Sequence, residues 1–421
     1  MGFLQNIRGL FSSSNTHNSF VMSNGVYGYS MSGESITEQD ALKVSAFFAG
    51  IKVISETVAS LPLHIYAENG DSREIYRKHH LYSKLHDNPS PLYTKFEFIQ
   101  LLVELAYLYG DSYARIIRDK RTNKPERFKM LHPYDVDIIV DHINDLLYYE
   151  YKPTGEKLNY NEVIHIKRNS HSSKTSDGIN LPGIAGTSVI DYARDNLGLI
   201  ISTERFGSQF FKTGHIKGVV EIPGSLTKDQ AKDLKAALDY IKTNKSSHNT
   251  PLLPPGVKYV QVGTSPNDSQ FNETKRQCYL EIGMFLRVPV YKFGMLENSS
   301  FSSNEQQEIE FIKDTIQPIV IMLEQEFNRK VFTTEEQKHL YVKFNVDGRL
   351  RGDTKTRAEY YRTMREIGAM TADEVRALEN MNKLTPEQKA ELKEEQANKI
   401  RYQGKDSKTT EKEEKNEVKD E

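Results

Sequence analysis

Several things are missing from this 421-residue chain, and each absence excludes a class of protein. It has one cysteine, Cys278, and no tryptophan. A single cysteine rules out an intrachain disulfide and a zinc site built from cysteines, and it fits synthesis in a reducing compartment. No run reaches the roughly 18 consecutive apolar residues of a membrane span. Residues 1–11 are apolar on one helical face but lack the apolar core and cleavage site of a signal peptide, and Asn6 stands where a myristoylation signal has Ser or Thr. They read as a flexible arm that docks on a neighbour, with no membrane anchor. An excess of positive charge is also absent: 56 Lys and Arg face 58 Asp and Glu, for a net charge of -2. A tight, non-specific duplex binder would carry a marked cationic surplus, so any DNA contact must be transient or confined to a local ring of charge. There is no G-x-x-x-x-G-K-[ST] phosphate loop, no H-E-x-x-H and no G-x-S-x-G. No catalytic residue, no metal ligand set and no cofactor is expected.

What is present centres on residues 294–331. A polar loop, Glu297, Asn298, Ser299, Ser300, Phe301, Ser302 and Ser303, precedes a long helical pattern. In that pattern Ile309, Ile312, Ile316, Ile319, Leu323, Phe327 and Val331 recur at three- or four-residue steps on one face. Glu305, Glu308, Glu310, Lys313, Asp314, Glu324 and Arg329 fill much of the other faces. Pro318 lies inside the run; an interior proline removes a donor and clashes with the preceding turn, kinking the helix at about 3 kcal/mol. Pattern alone leaves open an ordinary surface loop before a core helix.

Taken in order, residues 12–38 are rich in Ser, Asn and Gly and read as an irregular arm. Asp40 can cap a helix from Ala41 that Pro62 stops. Residues 63–66 read as a strand, residues 96–109 as a helix closed by Gly110, and residues 113–118, 135–140, 146–151 and 163–166 as strands. Asp135 and Asp137 are expected on one hydrated strand face. His79-His80 has no carboxylate at ligand spacing nearby and reads as a surface loop. Residues 187–211 form a long helix in which Gly198, Ser202 and Gly207 allow close approach, either to a copy of itself or within a plain core. A strand–helix–strand insert follows, with strands at 218–222 and 257–262. Its helix, 226–242, and the residues just beyond carry Lys228, Lys232, Lys235, Lys242 and Lys245, which suit either a solvated face or a docking surface because Asp229, Asp233 and Asp239 interleave. Residues 268–286 are a second long helix in which Cys278 is core packing. Residues 339–344 are a strand, and residues 354–366 and 371–381 are helices, the latter opened by a Thr371–Glu374 capping box. Residues 385–421 hold 9 basic and 11 acidic residues, leaving 47 of each sign elsewhere, and should be a frayed helix or a disordered tail.

The run Asn298, Phe301, Asn304, Gln306, Phe311, Pro318, Glu324, Phe327 and Asn328 is similar to the segment that ends the channel loop in phage portal proteins of the HK97 type. Residues 41–63, His132-Pro133, residues 163–166, residues 186–190 and residues 350–379 resemble further segments of that family in the same order, so the likeness covers roughly 41–384. The resemblance implies an α+β portal fold. Its parts would be an N-terminal arm (1–40), an α+β wing (41–186), a first stem helix (187–213), a small α/β clip insert (214–264) and a second stem helix (265–288). A tunnel loop (289–304), a kinked tunnel helix with a wing strand (305–348), a helical crown (349–384) and a charged tail (385–421) would follow. It further implies a ring, a dodecamer, at one capsid vertex of the virion, assembled in the host cytoplasm. Double-stranded DNA would pass through it for packaging and ejection. Its partners would be the terminase large subunit, the major capsid protein and scaffold, and head–tail connector proteins. Residues 297–303 would ring the channel, Pro318 would hold the loop inward, and the five lysines would face the motor or connector. Another ring-forming head–tail adaptor is the alternative, although such proteins are usually shorter and lack a two-helix stem with an insert. An enzyme with a convergent site is a third class.

Overall fold

The computed structural model describes residues 19–23, 29–70, 72–141, 146–170, 182–213, 218–221, 227–229, 231–232, 235, 258–261, 268–295, 301–346, 354–379, 381–392 and 394. The chain divides into two compact units, residues 1–345 and 346–421.

In the first unit the arm is not wholly irregular. Its strand β1 (Ser19–Ser23) pairs antiparallel with β6 (Val136–Asp141), so the four-stranded sheet runs β1-β6-β7-β8, with β7 at Leu146–Tyr151 and β8 at Glu156–Asn159. The sequence hides this strand because a Ser- and Asn-rich stretch carries no alternation; the exposed edge of β6 supplies the template. Asp135 lies in a 3-10 turn ahead of β6, so Asp137 does not share a strand with it and instead pairs with Lys152 at 2.9 Å.

The first helix also starts earlier than expected. Thr37 is the N-cap of α1 (Glu38–Lys43), and Asp40 answers it from the third helical position, a reciprocal capping box. The chain kinks at Val44 before α2 (Ser45–Ser60). Lys95 opens α4 (Lys95–Tyr109) and donates to the Ala59 and Leu61 carbonyls at the end of α2. Burial pulls its pKa down to about 8.

Two three-stranded antiparallel sheets matter most. One is ordered β12-β2-β3, from Leu340–Phe344, Leu63–Asn69 and Ser72–Ile75. The other is ordered β5-β4-β9, from Pro125–Leu131, Asp111–Arg118 and Val163–Lys167. A short helix, α3 (Tyr82–His86), connects β3 toward α4. Two long helices, α5 (Val189–Thr213) and α6 (Asp268–Leu286), pack on each other, and α6 also packs on α2. Asn196 of α5 donates to Glu281 of α6, and Lys275 pairs with Glu204 at 2.9 Å. Between these helices, β10 (Gly218–Glu221) and β11 (Lys258–Gln261) form an antiparallel pair, as the strand–helix–strand reading requires.

The close approach at Gly198 has an occupant within the chain. A Cβ there would lie 2.3 Å from Ser30 Oγ, Ser202 Oγ donates to Glu34, and Arg205 pairs with the same carboxylate. Gly198 and Ser202 of α5 therefore receive the arm segment 30–34.

A second pair of glycines fixes the entry to α5. Gly110 ends α4 at φ 87°, and a Cβ on Gly186 would stand 2.0 Å from the Gly110 carbonyl oxygen. The Arg168 amide donates to that same carbonyl at 2.7 Å, and the Gly186 amide donates to Asp111 Oδ1 at 2.8 Å. In the second unit, α9 (Thr354–Glu366) is joined to α10 (Ala372–Leu378) by Tyr361 and Arg357 on Glu379. The capping box of Thr371 and Glu374 forms as the sequence indicates.

Gly186→Ala should destabilise by about 2–3 kcal/mol, because backbone rather than a pliable side chain meets the new methyl. Gly155→Ala is the comparison: nothing lies within 4 Å of its Cβ position, so only the positive φ of 64° should cost it, about 1 kcal/mol. Denaturant midpoints of the two variants test this; equal losses would remove the steric argument.

Candidate functional site

The periodic apolar run folds as one helical stretch with three parts: α7 (Phe301–Phe311), a π segment (Ile312–Ile316) and α8 (Gln317–Val331). Ile312, Ile316, Ile319, Leu323, Phe327 and Val331 are buried, as their spacing requires. The π segment explains how Pro318 is tolerated. Proline would clash with the carbonyl four residues back, and widening the preceding turn moves that carbonyl aside. The Gln317 amide accordingly donates to the Ile312 carbonyl, five residues back. Pro318 itself is exposed in the first turn of α8, where a missing amide is least costly.

Four polar residues of α8, Glu324, Glu326, Asn328 and Lys330, bind strand edges, while Gln325 and Arg329 are exposed. Strand β12 is the outer strand of its sheet, and Asn328 grips Val342 on both backbone groups, accepting from its amide at 2.6 Å and donating to its carbonyl at 3.2 Å. Glu324 accepts from the Phe344 amide at 2.7 Å. Strand β9 is the outer strand of the other sheet. There Glu326 accepts from the His165 amide at 2.9 Å, and Lys330 donates to the Val163 carbonyl at 2.6 Å. Glu326 and Lys330 also pair with each other, and the Lys330 side chain is 1% exposed. Burial brings the Lys330 pKa down to about 8 against the pull of Glu326. The carbonyls at the end of α8 are satisfied by Arg118 on Lys330 and by Gln337 on Arg329 and Phe332.

Behind β9 lies a buried chain of groups. Tyr149 and His165 Nδ1 are 3.1 Å apart, and His165 Nε2 and Asp111 Oδ1 are 2.7 Å apart. Asp111 is the residue that receives the Gly186 amide, so this chain links the α8 edge contacts to the entry of α5. Burial lowers the His165 pKa and raises that of Tyr149, which makes the phenol the donor to Nδ1 and leaves Nε2–H to Asp111.

At the other end, the loop before α7 is clasped at its base. After α6 a 3-10 turn (Val290–Phe293) ends in the left-handed Gly294. Tyr291 donates to Glu308 of α7, and Lys292 pairs with the same carboxylate while lying over the rings of Tyr291 and Phe311. Thr315 in the π segment donates to the Arg287 carbonyl at 2.7 Å. Burial and the Glu308 contact push the Tyr291 phenol up, so it stays protonated as the donor.

Of the residues expected at the loop, Glu297, Asn298, Ser299 and Ser300 lie outside the described residues. Phe301, Ser302 and Ser303 are helical, which corrects the expected loop end: α7 starts at 301 rather than 305. Lys228, Lys232 and Lys235 are exposed and helical, whereas Lys242 and Lys245 fall outside the described residues. Cys278 is buried and its thiol pKa is raised by burial, as core packing requires.

Sequence reasoning missed one cluster. The reading of His79-His80 as a bare surface loop relied on the absence of a nearby carboxylate, yet Glu336, 257 residues from His79, comes within 3.2 Å of its Nε2. No local signal links these positions; pairing of β12 with β2 brings them together.

A family model described as phage portal protein matches residues 45–380. The chain is 29% identical to a probable portal protein of Streptomyces phage phiC31 over 360 residues, covering 84% of this chain and 78% of the relative. It is 24% identical to the portal protein of Enterobacteria phage HK97 over 363 residues, covering 84% of this chain and 82% of the relative. Among solved structures, an HK97-family phage portal protein from Corynebacterium diphtheriae aligns at a TM-score of 0.52 and 12% identity, covering 73% of this chain and 95% of the other. The neck of an empty gene transfer agent particle, computed with sixfold symmetry, aligns at a TM-score of 0.53 and 17% identity, covering 82% and 93%.

Glu308→Gln should keep an acceptor for Tyr291 and remove the partner of Lys292. Amide exchange in peptides spanning 288–308 should accelerate, while global stability falls by about 1 kcal/mol or less. Unchanged exchange would mean the clasp does not hold the loop base. His165 titrates with a folded pKa below its ordinary value of 6.5. Its contribution to stability is therefore full above about pH 6.5 and is lost as pH falls below that value. In His165→Gln the slope of stability against pH in that acid range should decrease, by up to one bound proton. An unaltered slope would show that His165 does not gain its proton on unfolding.

Proposed function

The chain belongs to the phage portal protein family, and from that premise we propose that its copies close into a ring, a dodecamer, at one capsid vertex, with double-stranded DNA passing through the centre. The observation that carries the ring reading is the apolar surface left on the two long helices. Leu199 and Phe206 of α5 and Phe285 of α6 are exposed, and Met284 of α6 is 72% exposed. Grouped on one helix pair, exposed apolar side chains offer a surface for a second subunit to cover. A head-to-tail arrangement of identical subunits covers them and closes on itself.

The rest of the reading follows from charge. Each cation that contacts a phosphate deepens binding and steepens its salt dependence, so a conduit needs a lining that touches DNA without gripping it. Asn298, Ser299, Ser300, Phe301, Ser302 and Ser303 offer short polar groups, one aromatic and no cation, and Glu297 at the margin repels phosphate. On this reading they ring the narrowest part of the channel. The clasp at Glu308 and the π segment before Pro318 support this placement, since together they fix where the loop leaves the body. The insert carrying Lys228, Lys232, Lys235, Lys242 and Lys245 is the docking surface for the terminase large subunit during packaging and for head–tail connector proteins afterwards. The major capsid protein and scaffold surround the ring. The role is that of a passive channel with no catalysis of its own. Among the described residues no helix is long and apolar enough to cross a membrane.

Ser299→Lys with Ser300→Lys should slow or stall DNA packaging in an in vitro assay without preventing ring formation; normal packaging would count against these residues as the lining. Phe206→Glu with Met284→Glu should shift the assembly toward single subunits by native mass spectrometry, and intact rings at wild-type abundance would displace these helices from the subunit contact.

A further inference from the structure

The turn between β3 and α3 presents His79 and His80, and a 3-10 turn (Glu336–Lys338) follows α8. Thr333 holds that turn by donating its amide and hydroxyl to Glu336 Oε2, each at 2.9 Å. This leaves Glu336 Oε1 aimed at His79 Nε2, 3.2 Å away. One ligand atom from each of His79, His80 and Glu336 lies within 4.8 Å of the other two. A tetrahedral ion with bonds of about 2.0–2.1 Å needs donors about 3.4 Å apart, so a modest movement of the exposed His80 closes the set. The His79 ring is already fixed, packed against Phe332 at 5.8 Å and Tyr76 at 6.0 Å.

We propose that His79, His80 and Glu336 form a binding site for a divalent transition-metal ion of the zinc class, stapling the β3–α3 turn to the segment that follows α8. Two imidazoles with one carboxylate are the donor set of such ions, and an open side leaves a position for water. The neighbouring charges divide: the carboxylate of Glu336 attracts a cation, while Lys84 and Lys124 beside His80 oppose it. Binding through His79 Nε2 puts the ring proton on Nδ1, which gives up the bond from the Leu81 amide. That bond spans 3.4 Å, beyond the usual range for an N–H donor. The ion would tie this turn to the segment that leaves the C-terminal end of α8.

The test uses the full chain freed of metal with EDTA, then titrated with zinc chloride while thermal unfolding is followed. The expected result is a rise in Tm of a few degrees, saturating at one ion per chain and reversed by EDTA. Cobalt chloride should give a visible ligand-field band of low-coordinate Co(II). Both responses should be lost in His80→Ala, whose side chain is exposed, and in Glu336→Gln, which preserves the Thr333 contacts. No zinc-dependent shift in the wild-type chain, or a shift that survives both variants, overturns the proposal. None of these readouts depends on ring formation, so the outcome stands apart from the channel reading.

Discussion

Helix α8 lies between two sheets and supplies each with the hydrogen bonds its outer strand lacks. An unpaired strand edge in a protein interior leaves amides and carbonyls without partners, at about 1–3 kcal/mol each. Glu324 and Asn328, four residues apart, satisfy β12; Glu326 and Lys330, also four apart, satisfy β9. The two pairs point from different sides of one helix. A slide or rotation by one residue would strand all four side chains and the strand groups they serve. The buried Glu326–Lys330 pair is tolerable for the same reason, since each charge also bonds to the strand backbone. The helix is thus fixed in register against both sheets, and whatever it carries at its other end is fixed with it.

That other end is the loop. The π segment turns the helical ladder out of register ahead of Pro318, and Thr315 within it reaches back to the end of α6. Glu308 then gathers Tyr291 and Lys292 from the strand of chain entering the loop. The loop therefore springs from a base held on both sides, while its tip is free of cations by sequence.

The entry to α5 shows a related economy. Gly110 and Gly186 let two backbones touch where any side chain would collide, and Asp111 joins the contact to the buried His165 and Tyr149. Further along α5 the arm fills the space above Gly198. Gly198 and Ser202 of this helix are met within one chain, whereas Leu199 and Phe206 are exposed.

By itself the sequence determined the elements that depend on near neighbours. The apolar faces of α2, α4, α5 and α8, the capping box at Thr371, the left-handed end of α4 at Gly110 and the burial of Cys278 were all legible, because spacing and cap chemistry act within a few residues. The order of the family-like motifs was legible for the same reason. Only the tertiary structure decided that Glu324, Glu326, Asn328 and Lys330 face strand edges rather than water, that a Ser-rich arm forms a strand, that α7 begins at Phe301, and that Glu336 meets His79. A polar residue on a helix looks the same in sequence whether it bonds to solvent or to a strand. Its partner is chosen by chain pairings across as many as 257 residues, a distance over which no periodicity survives.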